Sequence, residues 1–165
     1  MKKILLVLVL VGTAQFSYSQ AFNGKGDVKF QIGGNFQHHG TGISSSIDFG
    51  LAENISYGFL ASYLLNTTDI NGVSAEFVDR ADLKARINAN IGSVFGLDEH
   101  IDIYPGLNLG TRNFGAHLGF RYFFSDGFGL FSEASVPLAH YDNDVVGFDK
   151  LNNQFVLNVG AVFHF

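Results

Sequence analysis

The segment NNQFVLNVGAVFHF, residues 152–165, alternates between two kinds of side chain. One set is Phe155, Leu157, Val159, Ala161, Phe163 and Phe165, and the other is Val156, Asn158, Gly160, Val162 and His164. Alternation of this period is typical of a β-strand, because successive side chains of a strand point to opposite faces. The segment therefore predicts a strand with one face that stays apolar up to Phe165.

Seven earlier segments show the same alternation. They span about residues 27–37, 42–52, 55–65, 79–94, 100–111, 114–124 and 127–138. A helix is excluded, because charged residues at every second position would surround it completely. Leu60, Leu64 and Phe131 are apolar exceptions to the pattern. We predict an all-β chain of eight antiparallel strands.

The links between the predicted strands differ in length. Tight turns are predicted near residues 53, 98 and 126, short links at 38–42 and 111–113, and longer polar links at 66–78 and 139–152. Successive links of strands that run up and down lie at opposite ends of a sheet. The pattern predicts one end with tight turns and one with generally longer loops, each facing a different compartment.

The N-terminus has the composition of a secretory signal peptide. Residues 1–19, MKKILLVLVLVGTAQFSYS, contain two lysines, an apolar stretch too short to span a bilayer, and small polar residues. We expect cleavage before Gln20, leaving residues 20–165 as a single domain; the alternative is an uncleaved anchor helix. The sequence contains no Cys, which excludes disulfides and a lipid-modified cysteine.

Charge and hydropathy restrict the partners of the mature chain. Without Lys2 and Lys3 it has eight basic residues against fifteen acidic ones, so it offers no basic stripe to nucleic acid. No segment after the signal approaches the ~20 consecutive apolar residues of a transmembrane helix. A membrane location would therefore require strands.

The polar face distinguishes between two ways of closing such a sheet. A soluble ligand-binding barrel turns its apolar face inward, whereas a membrane barrel turns that face to lipid. The charged residues of the polar face, four of each sign, are Lys29, Lys84, Arg86, Arg121, Asp48, Asp82, Asp102 and Glu133. Balanced charges can pair in a narrow interior, and the glycines of this face suit a crowded interior better than a solvated surface. Because the apolar face is uncharged, with aromatics largely toward the strand ends, we predict a transmembrane barrel closed by pairing of the last strand with residues 27–37.

The interior charges admit two interpretations. They could line a selective pathway for small solutes, or they could plug the barrel as a network of ion pairs. The narrow interior of an eight-stranded barrel favours the plugging network. The expected pairs are Arg121 with Glu133, and Lys84 and Arg86 with Asp102 or Asp48.

These residues resemble the small eight-stranded outer membrane barrels of Gram-negative bacteria, the group of outer membrane protein X and the OmpA transmembrane domain. The sharpest element is the C-terminal segment, which is similar to the signature read by the barrel-assembly machinery. Its signature positions are Leu157, Val159, Ala161, Phe163 and Phe165. Residues 50–65 and 97–110 also look like hairpins of this family, and Gln20 after the signal favours a Bacteroidota type.

The resemblance implies a bacterial outer membrane location, with membrane lipid and the assembly machinery as partners. It implies an architecture more firmly than an activity, because one fold carries many functions. Members of the family include structural anchors, adhesins, stress-linked proteins and a few lipid enzymes. We predict a structural or surface-interaction role without catalysis and without a cofactor.

Three groups of loop residues carry the alternative functions. The residues that could capture a metal are His38, His39 and His140 with Asp69, Asp142 or Asp144. A lipid-modifying site could combine Ser135 and His140 with Asp142 or Asp144. A surface ligand could bind the acidic loop residues Asp69, Glu76, Asp79, Asp142, Asp144 and Asp149. Adjacent histidines lack ligand spacing and Ser135 is expected to point inward, so we expect neither a metal site nor an active site.

Overall fold

The computed structural model describes residues 21–69, 73–141 and 148–165. Its strands are β1 Val28–Gln37, β2 Gly40–Ala52, β3 Ile55–Thr67, β4 Ala81–Ala89, β5 Ile101–Gly110, β6 Asn113–Ser125, β7 Phe128–His140 and β8 Val156–His164. A one-turn helix, α1, spans Phe77–Arg80 before β4. The predicted signal peptide, its cleavage site before Gln20, and Asp142 and Asp144 lie outside the described residues.

The strands form a closed antiparallel barrel in chain order. Each strand pairs with the next, and β8 pairs with β1 from Lys29↔His164 to Gln37↔Val156. The predicted fold class, an eight-stranded antiparallel up-and-down barrel, is confirmed. Within the described parts of the chain, no helix has the length and apolar character needed to cross a membrane.

The links define two ends of the barrel. We call the end with residues 38–39, 68–69, 73–80, 111–112, 141 and 148–155 the loop end, and the end with residues 53–54, 90–100 and 126–127 the turn end. Residues 21–27 precede β1 and therefore also lie at the turn end.

The predicted bounds of the fourth strand, residues 79–94, are wrong at both ends, because the observed strand spans Ala81–Ala89. Asp79 and Arg80 belong to α1, which is stabilised by a capping box in which Asp79 accepts from the backbone of Glu76 at 3.1 Å. After β4 the chain forms a link over residues 90–100 instead of a tight turn near residue 98. Gly96, with a φ of +64°, takes a left-handed conformation in this link.

The barrel exterior is apolar and uncharged along the strands. The eight strands contain eight Asp, Glu, Lys and Arg residues, and each of them lies on the inner face. Outward side chains such as Phe59, Leu83 and Leu118 are more than half exposed. Aromatic rings of β1, β6, β7 and β8 contact one another around the turn end, from Phe30 through Phe163 to Phe128.

Candidate functional site: the barrel interior

A network of buried charges crosses the middle of the barrel. We call Asp48, Arg86, Asp102, Arg121 and Glu133 the central network. The Arg86 guanidinium donates from Nε and Nη2 to the two Asp48 oxygens at 2.6 Å each, and from Nη1 to Glu133 Oε2 at 2.7 Å. Because Arg86 reaches strands on both sides of the interior, its planar fork joins β2, β4 and β7.

Arg121 forms the second half of the central network. It donates to Asp48 and, at 3.2 Å, to Asp102. The Tyr104 ring lies against the guanidinium, 3.8 Å from its central carbon to the ring centroid. Gly119, opposite Tyr104 in the β5–β6 register, leaves the space that this ring occupies, since a Cβ there would overlap the ring.

The pairing of the charges differs in part from the expected pairing. Glu133 pairs with Arg86 rather than Arg121, because the β6–β7 register sets Arg121 opposite Phe131. Asp48 pairs with Arg86 and also with Arg121. Asp102 pairs with Arg121, and within the described residues neither Lys84 nor Arg86 forms an ion pair with it.

The other predicted interior charges form separate pairs near the ends. Lys84 lies 3.5 Å from Asp82 of its own strand, near the loop end. Lys29 donates to Asp27 at 2.7 Å at the turn end. Thus five of the eight predicted charges form the central network, and the remaining three lie in pairs beside it.

An apolar cluster lies inside the barrel at the turn end. We call its members, Ala21, Phe123, Phe131 and Val162, the turn-end seal. Ala21 enters from the segment before β1, which is held by a 2.6 Å hydrogen bond from the Ala21 amide to the Glu99 carbonyl. Burial of these side chains stabilises the packing of the segment before β1 against the barrel.

A second apolar cluster lies at the loop end. We call Leu64, Ala75, Phe148 and Leu151 the loop-end seal. Asn152 fixes the long β7–β8 link next to it, with its backbone amide donating to Gln37 at 2.8 Å and its carbonyl accepting from Asn113 at 2.7 Å. Residues 148–152 of this link are therefore held against the loop end of the barrel.

A small polar cavity lies between the loop-end seal and the central network. The cavity there has a volume of about 10 Å³ and is lined mainly by polar side chains, among them Asn35, His117 and Ser135. This volume is at the lower limit for one water molecule. A wider cavity, of about 210 Å³, opens at the turn end.

The histidines do not converge on a metal-binding geometry. His38 and His39 are exposed and their ring centroids lie 3.8 Å apart, while His140 is exposed at the end of β7. No group of three or more His, Asp or Glu side chains in the described ranges could hold a metal ion. His117 instead joins the interior hydrogen bonds, 2.8 Å from Asn88.

The remaining loop candidates are also separated. Ser135 is buried in the barrel, whereas His140 lies five residues further along the same strand, about 16 Å away. Asp79 was expected in the acidic loop set but is buried and lies 3.5 Å from Arg112. Asp69, Glu76 and Asp149 are exposed at the loop end.

Sequence reasoning did not identify the two seals. Their signal is present in the sequence as departures from alternation, since Leu64 and Phe131 are apolar residues on the polar face. Phe123 also points inward and has 1 % of its surface exposed. Ala21 precedes β1 and Phe148 lies in the β7–β8 link, and strand periodicity carries no information in either segment.

Sequence comparison matches the chain to a family but to no curated protein. A family model described as a family of unknown function, DUF6646, matches residues 12–165. No curated protein shows significant sequence similarity to the chain.

Two solved structures from Pseudomonas aeruginosa are similar in fold. The N-terminal β-barrel domain of OprF has a TM-score of 0.54 and 10 % identity, covering 87 % of this chain and 100 % of that one. The outer membrane protein OprG has a TM-score of 0.55 and 12 % identity, covering 88 % of this chain and 98 % of that one. Similarity at this level of identity supports the barrel fold alone.

Proposed function

The chain belongs to DUF6646, a family of unknown function, and we propose that it is an integral bacterial outer membrane protein whose barrel is closed to solutes. Its role is structural or surface-interacting, and it needs no catalytic site. The observation that carries this proposal is the combination of an uncharged apolar exterior with a filled, charge-paired interior.

The exterior supports the membrane location. Charges on the lipid face of a membrane barrel are strongly destabilising, and the strands of this barrel carry none on that face. A soluble protein rarely exposes contiguous apolar surface on this scale. The similarity in fold to the outer membrane protein OprG, and to the N-terminal β-barrel domain of OprF, agrees with the proposal.

The interior supports the closed state. A solute would have to pass the loop-end seal, the central network and the turn-end seal in sequence. Separating Arg86 from Asp48 and Glu133 would leave buried charges unpaired, which is costly in a low-dielectric interior. The three layers therefore favour a plugged barrel over a small-solute channel.

Cell fractionation tests the location. We expect the protein in the outer membrane fraction, with an electrophoretic mobility that shifts on heating, as closed barrels in detergent unfold only when heated. Recovery as a soluble periplasmic protein would contradict the proposal. Closure is tested by the swelling of proteoliposomes in a small sugar. We expect them to swell at the same rate as protein-free liposomes, and liposomes that contain an open porin are the positive control.

The surface role is assigned to the loop end. Asp69, Glu76 and Asp149 present carboxylates there that could meet a basic or carbohydrate ligand. A strain carrying the three amide variants Asp69→Asn, Glu76→Gln and Asp149→Asn should lose surface adhesion while keeping normal barrel levels. Unchanged adhesion, serum resistance and envelope integrity in this strain would remove the acidic loops from the proposed role.

A lipid-modifying activity is the alternative that the geometry favours less. Its groups, Ser135 and His140, lie apart, and Asp142 and Asp144 are outside the described residues. We expect expression of the protein to leave the acyl chains of lipid A unchanged by mass spectrometry. Loss of an acyl chain that His140→Ala abolishes would establish the alternative.

A further inference from the structure

Two apolar side chains are exposed on α1, outside the strands. Phe77 is 70 % exposed and Val78 is 69 % exposed, at least as much as outward residues of the barrel wall such as Leu83. The link at 66–78 was expected to be a polar loop. Single exposed apolar residues are common on protein surfaces, but two adjacent ones presented together by a fixed helical turn point to an apolar partner.

The orientation of α1 is fixed by polar contacts on its inner side. Asp79 is 3 % exposed and lies 3.5 Å from Arg112. Arg112 also donates to the Val78 carbonyl, and Arg80 Nε donates at 3.0 Å to the carbonyl of Ala75, a member of the loop-end seal. The helix therefore has the same arrangement as the barrel wall, with a buried carboxylate inward and apolar side chains outward.

The exposed side of α1 is continuous with the outer wall of the barrel. The centroid of the Phe77 ring lies 5.3 Å from that of the Tyr63 ring. Tyr63 belongs to the outward set of β3, together with Phe59 and Leu65, and it pairs with Ala81 at the start of β4. Phe77 is thus placed beside the wall. Aromatic residues at the ends of lipid-facing strands are typical of the boundary between acyl chains and headgroups.

We propose that α1 is an interfacial anchor, whose Phe77 and Val78 side chains insert among lipid acyl chains at the headgroup boundary of the leaflet on the loop-end side. The proposal rests on the membrane location proposed above and extends the lipid contact from the strands to a link. Insertion is favourable because it removes apolar surface from water. Its depth is limited by Glu76, the exposed residue before the helix, whose carboxylate stays in water.

Single tryptophans test the insertion without background, because the chain contains no tryptophan. Phe77→Trp and Val78→Trp are refolded separately into phosphatidylcholine vesicles whose acyl chains are brominated either near the headgroup or near the methyl end. Bromine quenches tryptophan fluorescence only at short range. We expect quenching of both variants, and stronger quenching by bromine near the headgroup. Val78→Trp keeps the proposal testable if Phe77→Trp fails to fold.

Two control variants give the signals expected for lipid and for water. Phe59 is 57 % exposed on the outer wall and pairs with Ala85 in the middle of β4, so Phe59→Trp should be quenched most by bromine near the methyl end. Lys150 is exposed in the β7–β8 link at the loop end. Lys150→Trp should be quenched by iodide in the buffer, and severalfold less than Phe77→Trp by bromine.

The controls separate failure of the membrane location from failure of the anchor. Absence of bromine quenching in Phe59→Trp contradicts the membrane location, and with it the anchor. If Phe59→Trp is quenched while Phe77→Trp and Val78→Trp respond like Lys150→Trp, α1 stays in water and the anchor alone is wrong. If both α1 variants are shielded from bromine and from iodide, protein covers this patch, for example a second copy of the chain, and the anchor is again wrong.

Discussion

Arg86 of β4 and Glu133 of β7 form an ion pair across the barrel, with 2.7 Å between Nη1 and Oε2. Two strands separate them around the wall, so the contact exists only because the barrel is closed and narrow. Arg86→Met should lower the free energy of unfolding by about 3–5 kcal/mol, because it leaves the buried Glu133 carboxylate without its ion-pair partner and removes one of the two partners of Asp48. Urea unfolding in detergent measures the change, with far-UV circular dichroism as the signal because the chain contains no tryptophan.

The double variant Arg86→Met, Glu133→Gln should be less destabilised than the sum of the two single variants, because it removes both charges of the pair. Lys84→Met is the control, since Lys84 lies 3.5 Å from Asp82 and is partly exposed. If the changes in the free energy of unfolding of the two single variants add exactly in the double variant, the contact between Arg86 and Glu133 carries no coupling energy.

The turn-end seal predicts opposite results for two adjacent phenylalanines. Phe123 is 1 % exposed and points inward, whereas Phe124 is 59 % exposed on the outer face. Phe123→Ala should cost about 3–5 kcal/mol of unfolding free energy through cavity formation, and Phe124→Ala much less in detergent. If the two variants unfold at the same urea concentration, Phe123 does not pack in a seal.

Gly119 is predicted to be required for the position of Tyr104. A Cβ at Gly119 would overlap the Tyr104 ring and push it away from Arg121. Gly119→Ala should therefore cost about 1–3 kcal/mol of unfolding free energy. Gly127→Ala serves as the control, because the nearest atom to its added Cβ would lie 3.9 Å away. Equal stability of the two variants would contradict the tight contact.

Phe165 should matter for assembly rather than for the stability of the finished barrel. Its side chain is 77 % exposed, while its backbone amide donates to the Val28 carbonyl at 3.0 Å. Phe165→Ala should lower the amount of barrel in the outer membrane of cells while leaving urea unfolding of the refolded protein unchanged. Normal cellular levels would show that Phe165 is not part of an assembly signal.

Much of the fold could be predicted because the interior and exterior of a barrel select opposite residues at every second position. This holds from Lys29 to Glu133, and it marks all eight charged strand residues as members of one face. The alternation does not encode shear, so it could not show that Arg86 rather than Arg121 would meet Glu133. Ion pairs across the interior depend on the stagger of strands that are not neighbours in sequence.

The links were less predictable for a related reason. The capping box of Glu76 and Asp79 forms a helical turn directly before β4, so the strand begins two residues later than predicted, and the Asp79 carboxylate expected at the surface is buried. Residues 90–100 contain no sharp turn signal that would distinguish one turn from a longer link. The two seals depend on contacts between a strand and a segment outside the strands, such as the contact of Phe123 with Ala21. Alternation along the strands does not predict contacts of this kind.

Single-channel recording in planar bilayers tests the central claim most directly. The purified, refolded barrel is inserted at low density, and insertion is verified independently by protease protection of the incorporated protein. With the loop-end seal, central network and turn-end seal all in place, we predict no large or stable conductance. Reproducible open-channel steps from the wild-type protein would contradict the closed barrel.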